Sequence, residues 1–247
     1  MAREKKITNN TVEQDQNPFA LSTGDMMSVL MFIFILLLSA MMLQVQNQSE
    51  RIEEDRKQDE ESIKKYEALK DGLYNRLVEV FKEDTIKWNV SIRRDSMSVI
   101  FTNPDILFDY NSYSIKPAFK SILDEFYPAY MEVLYDSTYR DDIEEIRIEG
   151  HTDSRGGYIS NMELSQNRTR AVLDYCLKID SLAIYNDWSR SRITANGLSF
   201  SHLVYDENNE ENPNLSRRVE FRVRTKAEKY LEKILKDRLE RKDGTNP

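Results

Sequence analysis

Three groups of residues in this 247-residue chain have the types and spacing to do chemistry. The first is Asp25, the only charge between Gln16 and Ser49, at the head of an apolar run from Met26 to Leu38. An ionised aspartate at the centre of a membrane helix costs ~2.5–3.5 kcal/mol, and less near the helix end. Two readings follow: an interfacial acid that snorkels to the headgroups, or a carboxylate that takes up an ion on one side and releases it on the other. Such transfer is driven by ~2.3 kcal/mol per charge per 100 mV. One helix cannot wall off an ion path, so the second reading requires a partner membrane protein. The second group is Asp153 and Arg168, an acid after a strand and an arginine on the following helix. Brought together by the turn Arg155-Gly156-Gly157, they would hold a ligand end group carrying an amine and a carboxylate. The plainer alternative is an Asp153–Arg168 salt bridge that caps the helix. The third is His151, beside Asp153. No serine or cysteine nucleophile with a base partner accompanies it. Two histidines, His151 and His202, with Cys176 do not build a zinc site. His151 is read as structural, the chain as a non-enzyme without metal or cofactor.

These residues must be positioned by a polar chain: 32% charged, mean hydropathy −0.64, net charge −8. Without a basic stripe, direct nucleic-acid binding is not expected. The single Cys176 excludes an internal disulfide. A helix over residues 21–45 would be roughly 37 Å long, enough for a hydrocarbon core of ~30 Å. The uncharged, mostly apolar stretch after Asp25, residues 26–49, exceeds a signal-peptide core of ~7–15 residues, and Glu4, Glu13 and Asp15 precede it, so an uncleaved anchor is expected. Basic residues lie on both sides (Arg3, Lys5 and Lys6; Arg51, Arg56 and Lys57), so charge alone barely sets the orientation.

The expected order is a polar tail over 1–17, a transmembrane helix over 18–45, a helical linker over 46–87, a domain over 88–225 and a charged C-terminal helix and tail over 226–247. In the linker, Tyr66, Leu69, Leu73, Leu77 and Val80 form one apolar stripe, either packed on the domain or pairing two chains in a stalk. From Trp88 the period changes. Residues 88–101 read as a β-hairpin around Arg93–Ser96, residues 115–135 as a helix with Pro117 in its first turn, and residues 143–150 as a strand. A helix over 161–179, a strand at 191–198 and a last alternating strand at 217–225 complete it. The fold class is α+β, written ββαβαβ, with helices on one sheet face.

The stretch "EGHTDSRGGYISNMELSQNRTRAVLDYCL" resembles the OmpA-like peptidoglycan-binding domain, with its T-D-x-x-G and N-x-x-L-S-x-x-R-A signatures. Thr152, Asp153, Gly156, Asn161, Leu164, Ser165, Arg168, Ala171 and Val172 fall in place, and "SRRVEF" (Ser216–Phe221) resembles the closing N-R-R-V-E-F. The likeness covers residues 88–225. Thr169 departs from the usual alanine and Ser216 from the usual asparagine, which could weaken a polar contact near the ligand. The resemblance implies that peptidoglycan is the partner and that Asp153, Asn161, Leu164, Arg168 and Arg218 bind it. It also implies an inner-membrane location with the N-terminus cytoplasmic and residues 46–247 periplasmic.

"DMMSVLMFIF" is similar to the aspartate-led helix of MotB, the flagellar stator subunit, with Asp25, Met27, Ser28 and Met31 in place, Ser28 for threonine and Leu30 for methionine. A charged segment at 50–62, where stators carry an amphipathic plug, and the entry "NPFALSTGD" are closer to the ZorB family, MotB-like subunits of the Zorya anti-phage systems. That resemblance implies an ion-driven motor with Asp25 carrying H+ or Na+. It implies a homodimer within a ring of a MotA-like partner, ZorA, and cytoplasmic defence effectors reached through the complex. A flagellar stator and a passive membrane-to-wall tether are the alternatives. TolR and ExbD share the acidic helix but not the C-terminal motif.

Overall fold

The computed structural model describes residues 18–179 and 185–243. The expected tail over 1–17 lies outside them. The chain divides into two compact units, Met1–Asp59 and Glu60–Pro247. Helix α1 runs from Pro18 to Val80. In the first unit its apolar residues stay exposed from Met26 to Val45, and the most apolar 18 residues have a mean hydropathy of 2.6. Among the described residues this is the one helix long and apolar enough to cross a membrane.

The second unit opens with the last part of α1. Leu73 and Leu77 are buried and Tyr66, Leu69 and Val80 half-buried, so the apolar stripe faces the unit's own core. The packed unit therefore starts upstream of residue 88, inside the expected linker. Phe81 extends the contact, with its ring 5.2 Å from Phe126 and 6.1 Å from Trp88. Arg94 in the hairpin turn ties back to Asp71 and Glu67 on α1.

After the short helix α2 (Asp84–Trp88) come β1 (Val90–Arg93) and β2 (Ser98–Phe101), joined by a turn in which Met97 takes a positive φ. The single turn α3 (Pro104–Leu107) is followed by α4 (Pro117–Tyr135), which has proline in its first turn as the sequence predicts. Next come β3 (Ile143–Gly150), α5 (Tyr158–Cys176), α6 (Asn186–Arg190), β4 (Ile193–Gly197), α7 (Pro213–Ser216), β5 (Val219–Thr225) and α8 (Lys226–Asp243). The sheet is mixed, in the order β1-β2-β5-β3-β4, with β4 parallel to β3 and the other pairs antiparallel. It contains five strands, the five read from the sequence, so the full shorthand is ββαβαββ, one β more than ββαβαβ writes out.

Alternation along the strands separates two faces. Val99, Phe101, Ile146, Ile148, Phe221 and Val223 join the core with Phe119, Leu123, Phe126 and Tyr130 of α4. The other face carries charge in register: Glu145 opposite Arg224, Arg147 opposite Arg222, and Glu149 opposite Glu220. Helix α5 lies very close to the sheet, which glycine makes possible. A Cβ at Gly150 would stand 2.6 Å from the Thr169 methyl, and one at Gly197 only 2.3 Å from the Gln166 backbone nitrogen. Thr169 thus fits its departure from alanine: its hydroxyl donates to the Ser165 carbonyl (3.2 Å) and its methyl packs over Gly150.

Candidate functional site

The site grows from the end of β3. Past Gly150 the backbone remains pinned, with His151 N–H donating to the Arg218 carbonyl (3.0 Å) and Thr152 N–H to the Ser199 carbonyl (2.9 Å). This delivers Asp153 to the mouth of the turn 154–157, itself 5% exposed. Gly156 turns the chain at φ +92°, in the left-handed region that glycine adopts without strain. Asn161, on the first part of α5, donates through Nδ2 to the Arg155 carbonyl (2.8 Å) and fixes the turn from inside. Glu211 holds its outer side, accepting from Ser154 N–H (3.0 Å) and from the Ser154 hydroxyl.

Both oxygens of Asp153 are engaged. Oδ1 accepts from Arg155 N–H (3.2 Å); Oδ2 accepts from Arg155 Nη2 (2.6 Å) and Nε (3.0 Å) and from Arg217 Nη1 (2.6 Å). Burial pushes this carboxyl's pKa up, but the hydrogen bonds from Arg155 and Arg217 outweigh it and hold the acid below its ordinary value. Arg217 is anchored at its other end on Asn214 Oδ1 (2.6 Å).

Asn161, Leu164 and Arg168 share one face of α5 through their spacing of three and four; Leu164 is half-buried. Arg168 lies across the loop after α3. It donates from Nε to the Ser112 carbonyl (2.8 Å) and more weakly from Nη2 to the Asp109 carbonyl (3.5 Å), with its guanidinium 4.9 Å from the Phe108 ring centroid. Burial, then the nearby charge of Arg217, lowers its pKa to about 10, and Asp153 partly offsets this. The two residues therefore feel each other's charge, yet among the described residues they form no ion pair. The simple capping salt bridge between them is not what this chain builds.

Arg218 goes elsewhere. In the extended entry to β5 successive side chains point to opposite sides, so Arg217 reaches Asp153 while Arg218 turns away. Arg218 donates to Glu220 Oε1 (2.5 Å) and to the His202 carbonyl (3.0 Å). Of the paired arginines, the structure brings Arg217 to the Asp153 cluster and sets Arg218 apart from it. Arg155 is the other participant that sequence reasoning missed. Ser216 is fully buried and its hydroxyl accepts from Val204 N–H (3.0 Å), so it braces the neighbouring loop.

His151 is buried beside Glu149 and Glu220, with donor atoms of the three within 4.8 Å. By type the set suits a divalent metal. Its charge is already met: Arg218 sits on Glu220, Arg147 stands 3.8 Å from Glu149, and Arg222 acts on Glu149 through space. A cation would enter among three guanidiniums, so the cluster reads as a buried ion-pair network. Burial above all, with Arg218 and His202 adding to it, lowers the His151 pKa to about 3 and keeps the ring neutral.

Asp25 stands in α1, in the exposed apolar stretch of the first unit. One turn later the Ser28 hydroxyl donates to the Gly24 carbonyl (2.9 Å).

A mixed sheet with α5 pressed on glycines, and an Asp–Arg cluster at its edge, define an OmpA-type domain; the OmpA family profile matches residues 107–217. The chain is 38% identical to the Zorya protein ZorB of the Crooks strain of Escherichia coli, across 95% of this chain and 100% of that one. It is 25% identical to the Zorya protein ZorB of E. coli O139:H28, across 85% and 82%. Among solved structures, a MotB-like protein from Desulfovibrio vulgaris superposes with a TM-score of 0.45 at 19% identity, covering 67% of this chain and 94% of that one. The chain belongs to the ZorB family.

Proposed function

We propose that this chain is the wall-anchored subunit of an ion-driven inner-membrane motor that acts in anti-phage defence. The observation that carries the reading is the union, in one chain, of an exposed apolar stretch of α1, residues 24–45, whose single charge is Asp25, with an OmpA-type domain. In this reading Asp25 carries H+ or Na+ along a path walled by a ZorA-like, MotA-related ring around two copies of this chain. The N-terminus faces the cytoplasm and the domain faces the periplasm, where Asp153, Asn161, Leu164 and Arg168, joined by Arg155 and Arg217, hold peptidoglycan. Cytoplasmic effectors are reached through the ring partner. The relatives that carry the name Zorya support the defence role.

Co-sedimentation of the full chain in detergent with purified cell-wall sacculi tests the anchor. Wild type is expected to pellet with the wall, and Arg168→Ala to stay in the supernatant with its fold intact. Equal pelleting of both would remove Arg168 from the anchor.

A further inference from the structure

The charged face of the sheet holds a groove of about 600 Å³, a size that suits a small molecule. None of Asp153, Arg155, Arg168 or Arg217 lines it. Two rungs of the sheet build its floor. On one, Arg93, Ser98, Arg222 and Arg147 stand in register across β1, β2, β5 and β3. On the next, two residues along and so about 7 Å away, Glu220 faces Glu149. The hairpin turn at 93–96 and the loop 198–205 contribute the remaining walls. Charge in this groove is largely matched: Arg147 bonds Glu145, Arg222 bonds Glu228 and Arg218 bonds Glu220. Hydrogen bonding is not. Glu149, 6% exposed, accepts no hydrogen bond among the described residues and has Arg147 only at 3.8 Å. Arg222 Nε is buried without a hydrogen-bond partner, and so are both ring nitrogens of His151, whose side chain is 2% exposed. That ring is neutral, so it has one donor and one acceptor to place. Arg93, exposed at the rim, has no partner among the described residues. Buried polar groups are ordinarily paired, and exceptions gathered on one groove call for a common reason.

A ligand that answers these groups must donate and accept at short intervals and carry no net charge. An anion would meet Glu149 and Glu220, and a metal cation would meet the guanidiniums. A neutral sugar has the right chemistry, because every hydroxyl is one donor and two acceptor sites. Phe200 and Tyr205 add aromatic surface to the lining, Tyr205 being 54% exposed, against which the C–H face of a sugar ring can pack. We infer that this groove is a carbohydrate site for one or two neutral hexopyranose rings, with Arg93 and Arg222 donating to the sugar and Glu149 accepting from it. The inference does not rest on the Asp153 cluster. Wall glycan and a free glucan share this chemistry, and they differ in the acetamido group that the wall glycan carries.

The test is titration of the full chain in nanodiscs with two neutral disaccharides, chitobiose, which is N-acetylated, and cellobiose, which is not, read by saturation-transfer NMR. Wild type is expected to bind at least one of them with millimolar affinity. Arg93→Ala, a change at an exposed side chain, is expected to weaken that binding at least about fivefold, the worth of one hydrogen bond. Glu149→Gln, which keeps the shape of the buried acid, is expected to weaken it by a similar factor. A preference for chitobiose points to the wall glycan and one for cellobiose to a glucan; either sustains a sugar site. Binding of neither disaccharide by wild type means that water alone serves these groups and overturns the inference. Binding that either variant leaves unchanged puts the sugar elsewhere on the chain and overturns it as well.

Discussion

Arg217 Nη1 lies 2.6 Å from Asp153 Oδ2, while the adjacent Arg218 bonds Glu220 at 2.5 Å on the other side of the same strand entry. Two neighbouring arginines of one motif therefore serve different structures, one the candidate binding cluster and the other the buried charge network.

Arg217→Ala should therefore remove wall binding while costing about 2 kcal/mol of stability, because Asp153 keeps Arg155 as a partner but loses its better-buried one. Arg218→Ala should leave the Asp153 cluster in place and retain wall binding. Urea unfolding and sacculus co-sedimentation of both variants measure this; equal loss of binding would contradict the division.

The glycine contacts under α5 give a second expectation. Gly150→Ala places a Cβ 2.6 Å from the Thr169 methyl and should cost about 1–3 kcal/mol, in part restored by Thr169→Ala. Gly197→Ala meets backbone at 2.3 Å, where no side chain can give way, and should cost about 3 kcal/mol with no rescue by Thr169→Ala. Chemical denaturation of the four variants separates the two cases.

His151 makes stability depend on pH. Its folded pKa, about 3, lies below the ordinary 6.5, so between these values the unfolded chain takes up a proton that the folded chain refuses. Its contribution to stability is full above pH 6.5 and declines as pH falls toward 3, by on the order of 4 kcal/mol across the window. Asp153, held low, adds to acid sensitivity only as pH falls below the ordinary carboxylate value. His151→Gln should flatten the slope between pH 6.5 and 4 in thermal unfolding; an unchanged slope would place the titrating group elsewhere.

Much of this domain is legible in the sequence because its periods are clean. Ile146 and Ile148 in β3, and Val219, Phe221 and Val223 in β5, alternate as strands buried on one face must. The stripe from Tyr66 to Val80 marks a packed helix face, though spacing alone does not say whether the partner is the domain or a second chain. Asp153 and Arg168 stand out by type and spacing. What spacing could not resolve was the choice between Arg217 and Arg218, since a one-residue difference in an extended segment reverses the side chain. Nor could it show that Arg155, inside a glycine-rich turn, folds back onto the acid two residues earlier. The Glu149–His151–Glu220 grouping depends on cross-strand register, which no single strand carries.

The most direct test of the motor reading is phage plating efficiency in a non-motile host carrying the native gene cluster, with wild-type or Asp25→Asn protein at matched expression. Asparagine keeps the size of Asp25 and removes its exchangeable charge. The account predicts protection by wild type and its loss with Asp25→Asn, while sacculus binding by the variant is unchanged. Protection that survives Asp25→Asn would contradict ion transfer through this residue.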